Sequence, residues 1–388
     1  MGKEEAIAAQ EPSTSPTYLP TYLPTSTPKA TMPTVRGCHL VGSVPLPSTE
    51  DVLRQCTAGM PNRLKRIPDG ETGARNMFTM FQASVFSPVP EMSTLFQMNS
   101  KIPARDYTAA EVDEGIRKLQ AAGPVETGYD TAAIESYAVF QKMKAEGVVH
   151  PTTKFQACIP TVASVLAPFV QAAFQAKVEP IYEEALFRAI RRIQDAIPHE
   201  ELAIQIDLAA DTAYWEGYEL FQPWFGEGDL EKIRTYCVDY VVRMIGQVDG
   251  DVEVGLHNCY GDMDHRHFME PTSLAALVER SRRIYEQTPH PISFIHFPVP
   301  KSAADNLQSF LAPLVDLIPT FKEHNTELYL GVVHENNLDL TRKMVAAAGE
   351  VLGDFPFGVA TECGWGRTAA GEIESILSIS AEVSEPTL

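Results

Sequence analysis

Two residues with metal-binding side chains stand two positions apart at the end of an apolar run. The run begins at Val252 and ends in His257 and Cys259. In an extended strand, residues i and i+2 point to the same face, so this imidazole and this thiol can converge on one ion. A second β-like run, over residues 357–363, ends in Cys363. If both runs are parallel strands of one barrel, their carboxyl ends lie close together, and Cys363 can reach the same ion.

Each of these residues also has a purely structural interpretation. A cysteine in an apolar run is most often a small buried hydrophobe, and a histidine at a strand end often hydrogen bonds within the core. Local spacing alone leaves the choice open. The elements that carry these residues, and the side chains that end the other strands, decide between an ion site and a packed core.

Composition limits the classes of partner. The chain has 388 residues, of which 44% are hydrophobic, enough for one barrel-sized domain or two smaller ones. Its 31 basic and 51 acidic residues give a formal net charge of −20, which argues against nucleic acid and anionic membrane surfaces as partners. No apolar run approaches the roughly 18 residues of a membrane span, and no secretory signal opens the chain. We therefore predict a soluble cytoplasmic protein with reduced cysteines.

Apolar runs of strand length alternate with amphipathic stretches of helical length. Such alternation predicts an α/β fold with a parallel sheet, and eight strands separated by helices fit a TIM (β/α)8 barrel. An open doubly wound sheet is the alternative, but no G-x-G-x-x-G turn follows the first strand. The predicted strands are 37–43, 64–68, 155–160, 202–207, 252–259, 292–297, 328–334 and 357–363.

Two stretches depart from this alternation. Residues 1–35 are rich in Pro, Thr and Ser, and such a composition cannot bury enough surface to fold alone. We predict a disordered arm there, followed by a single barrel domain over 36–388. A transit peptide is disfavoured because acidic residues interrupt the arm. Residues 77–154, between the second and third strands, form an insertion. It is either a lid over the barrel mouth or an excursion of the chain without a functional role.

The predicted strand ends are rich in side chains that can do chemistry, and the active site of a TIM barrel lies where its strands end. The concentration of histidine and cysteine there favours zinc. From the first strand to the eighth these residues are His39 and Ser43, Asp69 and Glu71, Asp207, His257 and Cys259, His296, His334 and Glu335, and Glu362 and Cys363.

The turn after the second strand has two carboxylates and two glycines in Asp69-Gly70-Glu71-Thr72-Gly73. Glycine suits a turn that needs positive φ. The pair Asp69 and Glu71 indicates substrate binding or general acid–base catalysis. The structural alternative is a capped turn.

Four motifs resemble, in the same order, those of the catalytic domain of cobalamin-independent methionine synthase, which shares its barrel with uroporphyrinogen decarboxylase. The resemblance spans about residues 36–385, and its most specific element is H-x-C-Y-G. The amino-terminal half-barrel of the full-length synthases has no counterpart, so the chain is similar to a single-domain relative. The motifs are VGSVP (41–45), IQID (204–207), HNCYG (257–261) and ECG (362–364).

The resemblance implies a zinc-dependent transfer of a methyl or other alkyl group to a thiol. The family holds zinc with His, Cys, Glu and Cys, and three of these ligands match His257, Cys259 and Cys363. Zinc lowers the pKa of a bound thiol, so that a nucleophilic thiolate exists at neutral pH. The partners that follow are a small-molecule thiol and a methyl donor.

The resemblance also implies roles for residues around the zinc. The serine and the aspartate that hold the family's substrate amino acid match Ser43 and Asp207. A histidine on the seventh strand assists protonation of the leaving folate, and His334 matches it. We expect the adjacent Glu335 to contribute to substrate binding.

Three departures from the family pattern are visible. The family's glutamate ligand falls on the sixth strand, where this chain has His296, which either completes a His2Cys2 site or stands off as an acid and leaves one position open. The family's Asp-Glu-Pro at the end of the fourth strand reads Asp207-Leu208-Ala209, so the prediction is a thiol in general rather than homocysteine. Few basic residues offer contacts to a polyanionic folate, namely Arg63, Lys65, Arg66 and Arg75.

Two other functions stay open. One is lyase or hydrolytic chemistry on a carbonyl, with zinc as a Lewis acid, which the altered sixth strand allows. The other is a non-catalytic barrel that binds a ligand. Trp215 and Trp224 could stack a planar donor, but packing is favoured. Four residues after the metal motif are expected to cap the next helix and face solvent: Asp262, Asp264, His265 and His267.

Overall fold

Eight parallel strands alternate with helices through the residues that the structure, a computed structural model, describes, namely 34–94, 105–219, 222–261 and 266–388. The strands are β1 (Val35–Cys38), β2 (Arg66–Pro68), β3 (Lys154–Pro160), β4 (Leu202–Leu208), β5 (Glu253–Asn258), β6 (Ile292–Pro298), β7 (Glu327–Val333) and β8 (Phe357–Thr361).

The strands form one sheet in the order β1-β8-β7-β6-β5-β4-β3-β2. An isolated parallel bridge between Cys38 and Leu64 joins β1 to the residues before β2, and the Cys38 N–H donates to the Arg63 carbonyl at 2.8 Å. The two ends of the sheet therefore meet. The predicted TIM-like α/β fold, with an insertion between the second and third strands, is confirmed.

The described helices lie between the strands and after the last one. They are α1 (Thr49–Gly59), α2 (Ala109–Ala121), α3 (Tyr129–Ala145), α4 (Val162–Phe169), α5 (Ala172–Ala196), α6 (Ala210–Glu216), α7 (Leu230–Ile245), α8 (Ala275–Gln287), α9 (Leu307–Leu311), α10 (Ile318–His324), α11 (Leu338–Leu352) and α12 (Ile373–Val383). Within the described residues, no helix is both long and apolar enough to cross a membrane.

Burial explains why the apolar runs became strands. Every residue of β4 is buried, as expected of a parallel strand covered on both faces. Its alternate residues Leu202, Ile204 and Ile206 belong to the hydrophobic core, whereas Gln205 is buried and hydrogen bonds within a polar network. The barrel interior therefore includes a polar layer that leads towards the strand ends.

Arg66 begins β2 and lies at the amino-terminal end of the barrel. Its guanidinium pairs with Glu253 at 2.5 Å and Glu327 at 2.9 Å, the first residues of β5 and β7, and lies 4.3 Å from the centroid of the Phe294 ring. Because the strands are parallel, this cluster is at the end opposite the candidate site. Arg66, one of the few basic residues considered as contacts for a polyanionic folate, therefore lies away from the candidate site.

Element boundaries differ from the prediction where polar residues or prolines intervene. The first strand ends at Cys38 and not at residue 43, because the residues after it turn towards the other strand ends. Between β6 and β7 the chain forms several short helical segments instead of one long helix, since Pro313 and Pro319 begin new turns. The arm predicted over 1–35 lies outside the described residues up to position 33.

The insertion over 77–154 contains the 3-10 segment Phe78–Phe86 and the helices α2 and α3. Ser136 of α3 donates to an Asp69 carboxylate oxygen at 2.8 Å, and Thr79 donates to the Ser164 carbonyl at 3.3 Å. The insertion thus touches the turn after β2. The choice between a lid and an excursion without a functional role is still open.

Candidate metal centre and carboxylate pocket

Three ligand atoms converge at the carboxyl ends of β5 and β8. A ring nitrogen of His257 and the sulfurs of Cys259 and Cys363 all lie within 4.8 Å of one another, and the two sulfurs are 3.8 Å apart. His257 and Cys259 are buried, and Cys363 is half-buried. A histidine and two cysteines are a donor set that suits zinc. The chain therefore brings together three residues that the sequence predicts to share one ion.

Neighbouring donors fix the two thiols in place. The Gly261 N–H donates to Cys259 Sγ at 3.3 Å, from a turn in which Gly261 has φ of +86°. Arg367 donates to Cys363 Sγ at 3.8 Å. A positive charge beside a thiol favours its thiolate form, which is the form that binds metal.

His296 lies beside this group but makes other contacts. Its Nδ1 is 2.8 Å from Nδ1 of His257, and its Nε2–H donates to the Thr361 carbonyl at 3.0 Å. Both imidazoles are buried, and burial lowers their pKa values, that of His296 to about 4. Two neutral rings in contact are therefore the expected state.

A second cluster adjoins the first and contains two buried carboxylates. Ligand atoms of Glu71, Cys158 and Asp207 lie within 4.8 Å of one another. Burial and the charge of Asp69, opposed by Arg75 and Arg367, raise the pKa of Glu71 to about 7. Burial and Glu71 raise the pKa of Asp207 well above its usual range. Such a pair attracts a cation, because a positive ligand restores both charged forms.

Glu71 is held in a strained conformation. Its φ is +49°, a region that non-glycine residues rarely adopt, and its N–H donates to Asp69 Oδ1 at 2.8 Å. The other oxygen of Asp69 accepts from Ser136 at 2.8 Å and from Arg75. Strain of this kind clusters at binding sites. Asp69, predicted as catalytic, thus has both oxygens in hydrogen bonds, and only Oδ1 contacts Glu71.

Asp207 connects the two clusters. It is the register partner of His257 across β4 and β5, and the charge of Cys363 contributes to its raised pKa. Its Oδ1 accepts from Gln205 at 2.8 Å. Gln205 also bonds the buried His39 at 2.8 Å. The barrel's polar layer thus fixes the carboxylate one strand away from the imidazole.

Ser43 joins the loop after β1 to the loop after β8. Its hydroxyl oxygen accepts from the Gly366 N–H at 3.2 Å, and its carbonyl accepts from the Trp365 N–H at 2.6 Å. A Cβ atom added at Gly364 would lie 2.5 Å from the Ser43 hydroxyl. Ser43 therefore packs directly against the backbone next to Cys363, where sequence reasoning expects the thiol acceptor.

His334 and Glu335 follow β7 and differ in their surroundings. The buried His334 donates from Nε2 to the Val299 carbonyl at 3.0 Å. Burial lowers its pKa, with Lys301 acting in the same direction and Glu362 opposing it. The Glu335 carboxylate pairs with Lys301 on an exposed part of the rim. The two residues therefore differ: His334 is buried and feels the charge of Glu362, whereas Glu335 is engaged by Lys301 at the rim.

One residue of the second cluster, Cys158, was not predicted from the sequence. Cys158 stands two positions after Gln156 on β3, and only its nearness to the strand end pointed to it. Glu362, next to Cys363, accepts from His267 at 2.8 Å through one oxygen, while its other oxygen is buried without a hydrogen-bond partner among the described residues.

The expected solvent exposure of His267 is wrong, because its ring lies between Glu362 and Glu270. Burial opposes protonation, but these two glutamates raise the pKa of His267 to about 9. The other residues predicted to cap that helix, Asp262, Asp264 and His265, lie outside the described residues. Trp215 is 2% exposed, and the guanidinium groups of Arg234 and Arg283 lie 5.5 and 5.3 Å from its ring centroid, in agreement with packing.

Comparison with known proteins gives distant structural likenesses. No family model matches the sequence, and no curated protein matches it. A B12-independent methionine synthase from Shewanella sp. W3-18-1, solved in complex with selenomethionine, aligns with 11% identity over 91% of this chain and 96% of that chain, with a TM-score of 0.49. A proposed vitamin-B12-independent methionine synthase from Listeria monocytogenes aligns with 13% identity over 86% and 85%, with a TM-score of 0.41. We draw no functional conclusion from likenesses at this level.

Proposed function

We propose that this chain is a zinc-dependent transferase that moves a methyl or other alkyl group to the thiol of a small acceptor carrying an amino group. One observation carries the proposal. A His-Cys-Cys donor set adjoins a pair of buried carboxylates, and the two are joined through Asp207 and its register partner His257. A thiol and an ammonium on one small molecule would meet both clusters at once.

His257, Cys259 and Cys363 would hold the zinc. Their atoms lie close enough to share one ion, and three protein ligands leave a position for substrate, as in catalytic zinc sites. When bound there, zinc lowers the pKa of a coordinated thiol and so supplies a nucleophile at neutral pH. Arg367, which donates to Cys363, offsets part of the negative charge of the two thiolates.

The carboxylates would bind the acceptor's ammonium group. Glu71 and Asp207 are both buried, and the charge of Glu71 adds to burial in raising the pKa of Asp207. An ammonium between them would restore both negative charges and form charge-assisted hydrogen bonds. Ser43, packed against the backbone next to Cys363, would close the other side of the acceptor pocket.

His334 would deliver the proton that a nitrogen leaving group requires. Its Nε2–H is held by the Val299 carbonyl, so Nδ1 is the nitrogen that can take up and release a proton. Glu362 favours the protonated ring electrostatically. Glu335, as the partner of Lys301, would act at the rim and not at the reacting atoms.

Elemental analysis of the protein purified without added metal or chelators is the first test. We expect about one zinc per chain, lost in Cys259→Ala and in Cys363→Ala. Cys56→Ala is the matched control, because Cys56 is a fully buried thiol in α1, and it should keep its zinc. A parent without zinc, or a control that loses it equally, would contradict the proposal.

The acceptor is then tested in two arms. Amino thiols and thiols without an amino group are compared against a set of methyl donors, and the product thioether is quantified. The proposal requires transfer to the amino thiol, with a KM lower than that of the thiol without an amino group. Hydrolysis or cleavage of a carbonyl substrate, without transfer to any thiol, would instead support zinc as a Lewis acid in another enzyme class.

A further inference from the structure

We propose that His296 is a positioning residue that fixes the tautomer and orientation of His257, so that Nε2 of His257 binds the metal and the fourth position stays open to the acceptor. This inference rests on the proposed function. It concerns a residue that stands where the resemblance placed a metal ligand. His296 lies outside the group of three converging ligand atoms.

The hydrogen bonds determine which nitrogens carry protons. The Thr361 carbonyl can only accept, so the proton of His296 is on Nε2. In a neutral ring, Nδ1 of His296 then has the lone pair, and it accepts from Nδ1–H of His257 at 2.8 Å. The remaining nitrogen of His257, Nε2, therefore keeps its lone pair for a metal ion.

The same chain of hydrogen bonds leaves His296 without a free lone pair. Its Nε2 is a donor to Thr361, and its Nδ1 is already an acceptor. Ligation by His296 would require it to give up the bond to His257. In metal sites, the second ring nitrogen of a ligating histidine usually donates to an acceptor that fixes its tautomer and orientation, and here another imidazole fills that role.

The fold holds this arrangement from both sides. His257 and His296 are register partners on β5 and β6, so their rings start from the same level of the barrel. Asn258 donates to the His296 carbonyl at 3.1 Å and accepts from the fully buried Arg280 at 2.8 Å. The backbone that carries His296 is therefore fixed as well as its ring.

A glycine on β7 makes room for the ring. His296 on β6 reaches across β7 to Thr361 on β8, and a Cβ atom at Gly331 would lie 2.9 Å from its Nε2 and 2.8 Å from the Thr361 oxygen. Real Cβ atoms do not approach that closely, so an alanine there would displace the ring or the strand. Thr361 precedes Cys363 by two residues and donates to the Cys363 carbonyl at 2.7 Å. His296 thus couples the strand of His257 to the strand of Cys363.

The decisive measurement is nitrogen-15 NMR of histidine-labelled protein, without metal and loaded with 113Cd. We expect His257 to carry its proton on Nδ1 in the metal-free protein. In the loaded protein, we expect coupling between cadmium and Nε2 of His257, and none to either nitrogen of His296. Coupling to His296, or a proton on Nε2 of His257, would overturn the inference.

Metal affinity gives an independent readout. The dissociation constant for zinc is measured by competition with a chromophoric chelator in His296→Leu and His296→Asn. Removing the acceptor with leucine should weaken binding by about 10- to 100-fold, whereas asparagine places an amide near the position of Nδ1 and should retain most of the affinity. Equal affinity in the parent and the leucine variant would overturn the inference.

Two further variants keep the test independent of simple misfolding. His290→Leu removes another buried imidazole, one that bonds the backbone carbonyls of Pro291 and Asp249 and not His257, and should leave zinc affinity unchanged. Gly331→Ala should weaken zinc binding in the same direction as His296→Leu. Failure of the parent to bind zinc would contradict the proposed function, and the tautomer spectrum of the metal-free protein would still decide this inference.

Discussion

Asp207 on β4 and His257 on β5 are register partners, so the carboxylate pocket and the metal centre are separated by one strand spacing. Neighbouring strands of a sheet lie about 5 Å apart. That distance suits a small acceptor whose thiol and amino group are a few bonds apart. Under the proposed function, the pairing of these two residues limits the size of the acceptor.

Substitution of Asp207 tests the recognition of the amino group. In Asp207→Asn, the loss of a charge-assisted hydrogen bond should raise KM for an amino thiol by about 10- to 100-fold. Zinc content should stay that of the parent, because Asp207 is not among the three converging metal ligands. Steady-state kinetics with thiols that have or lack the amino group provide the measurement.

The thiol without an amino group is the control for that variant. Its KM should be the same in the parent and in Asp207→Asn. An equal rise for both thiols, or a loss of zinc, would mean that Asp207 supports the metal centre instead of the acceptor.

Glu71 should make folding stability depend on pH. Its pKa in the folded chain is about 7, above its ordinary value of 4.5, mainly because it is buried. Between these two pH values the folded state binds the proton and the unfolded state does not, so stability falls as pH rises through this window. Above it, the charged carboxylate is unfavourable in the folded state by a few kcal/mol.

The variant Glu71→Gln removes this titration. Its free energy of unfolding should match that of the parent near pH 4.5 and exceed it by a few kcal/mol at about pH 8. Urea unfolding of both proteins over this range, without zinc or substrate, measures the difference. A difference that does not change with pH would show that Glu71 titrates normally.

Part of the candidate site could be predicted from the sequence. The spacing of His257 and Cys259 on one strand implied a shared face, and the alternation of strands and helices implied that the ends of the fifth and eighth strands meet. Both inferences depend on short-range periodicity and on the closure of a barrel. That is why the sequence could place Cys363 close to His257 and Cys259 from more than a hundred residues away.

Other features depend on register and on side-chain direction, which no local pattern encodes. The hydrogen bonds of His296 require the pairing of β5 with β6 and the missing side chain at Gly331. The pairing of Asp69 with Arg75 and Ser136 depends on how the insertion folds back. The position of Arg66 at the opposite barrel end follows from where its strand starts, which the sequence places only within a few residues.

The ion pair between Asp69 and Arg75, next to Glu71, should stabilise the fold only when both partners are present. Asp69 and Arg75 have side chains that are 7% and 18% exposed, so removing one partner leaves a largely buried charge. We expect Arg75→Gln to lower the free energy of unfolding by about 3 kcal/mol. The double variant Asp69→Asn with Arg75→Gln should recover part of that loss.

Chemical denaturation of the parent, both single variants and the double variant forms a double-mutant cycle. A coupling energy above about 0.5 kcal/mol is expected for residues in direct contact. Additive losses would mean that solvent compensates each charge separately, and that Asp69 is free for a catalytic role.

His334 is expected to act as the proton donor, and its surroundings determine how the rate depends on pH. Burial and Lys301 lower its pKa below 6.5, so the protonated ring becomes more populated as pH falls. The value of kcat for transfer should therefore increase as the pH is lowered from about 8 to about 6.

In His334→Gln, the amide can still donate to the Val299 carbonyl, but it cannot deliver a proton. We expect kcat to fall by at least about 100-fold, with little change in KM and no pH dependence over this range. Zinc content measured in parallel separates loss of the acid from loss of the metal. If His334→Gln kept the rate and the pH profile of the parent, the proton would have to come from another group, and His267, which is protonated beside Glu362, would be the next residue to substitute.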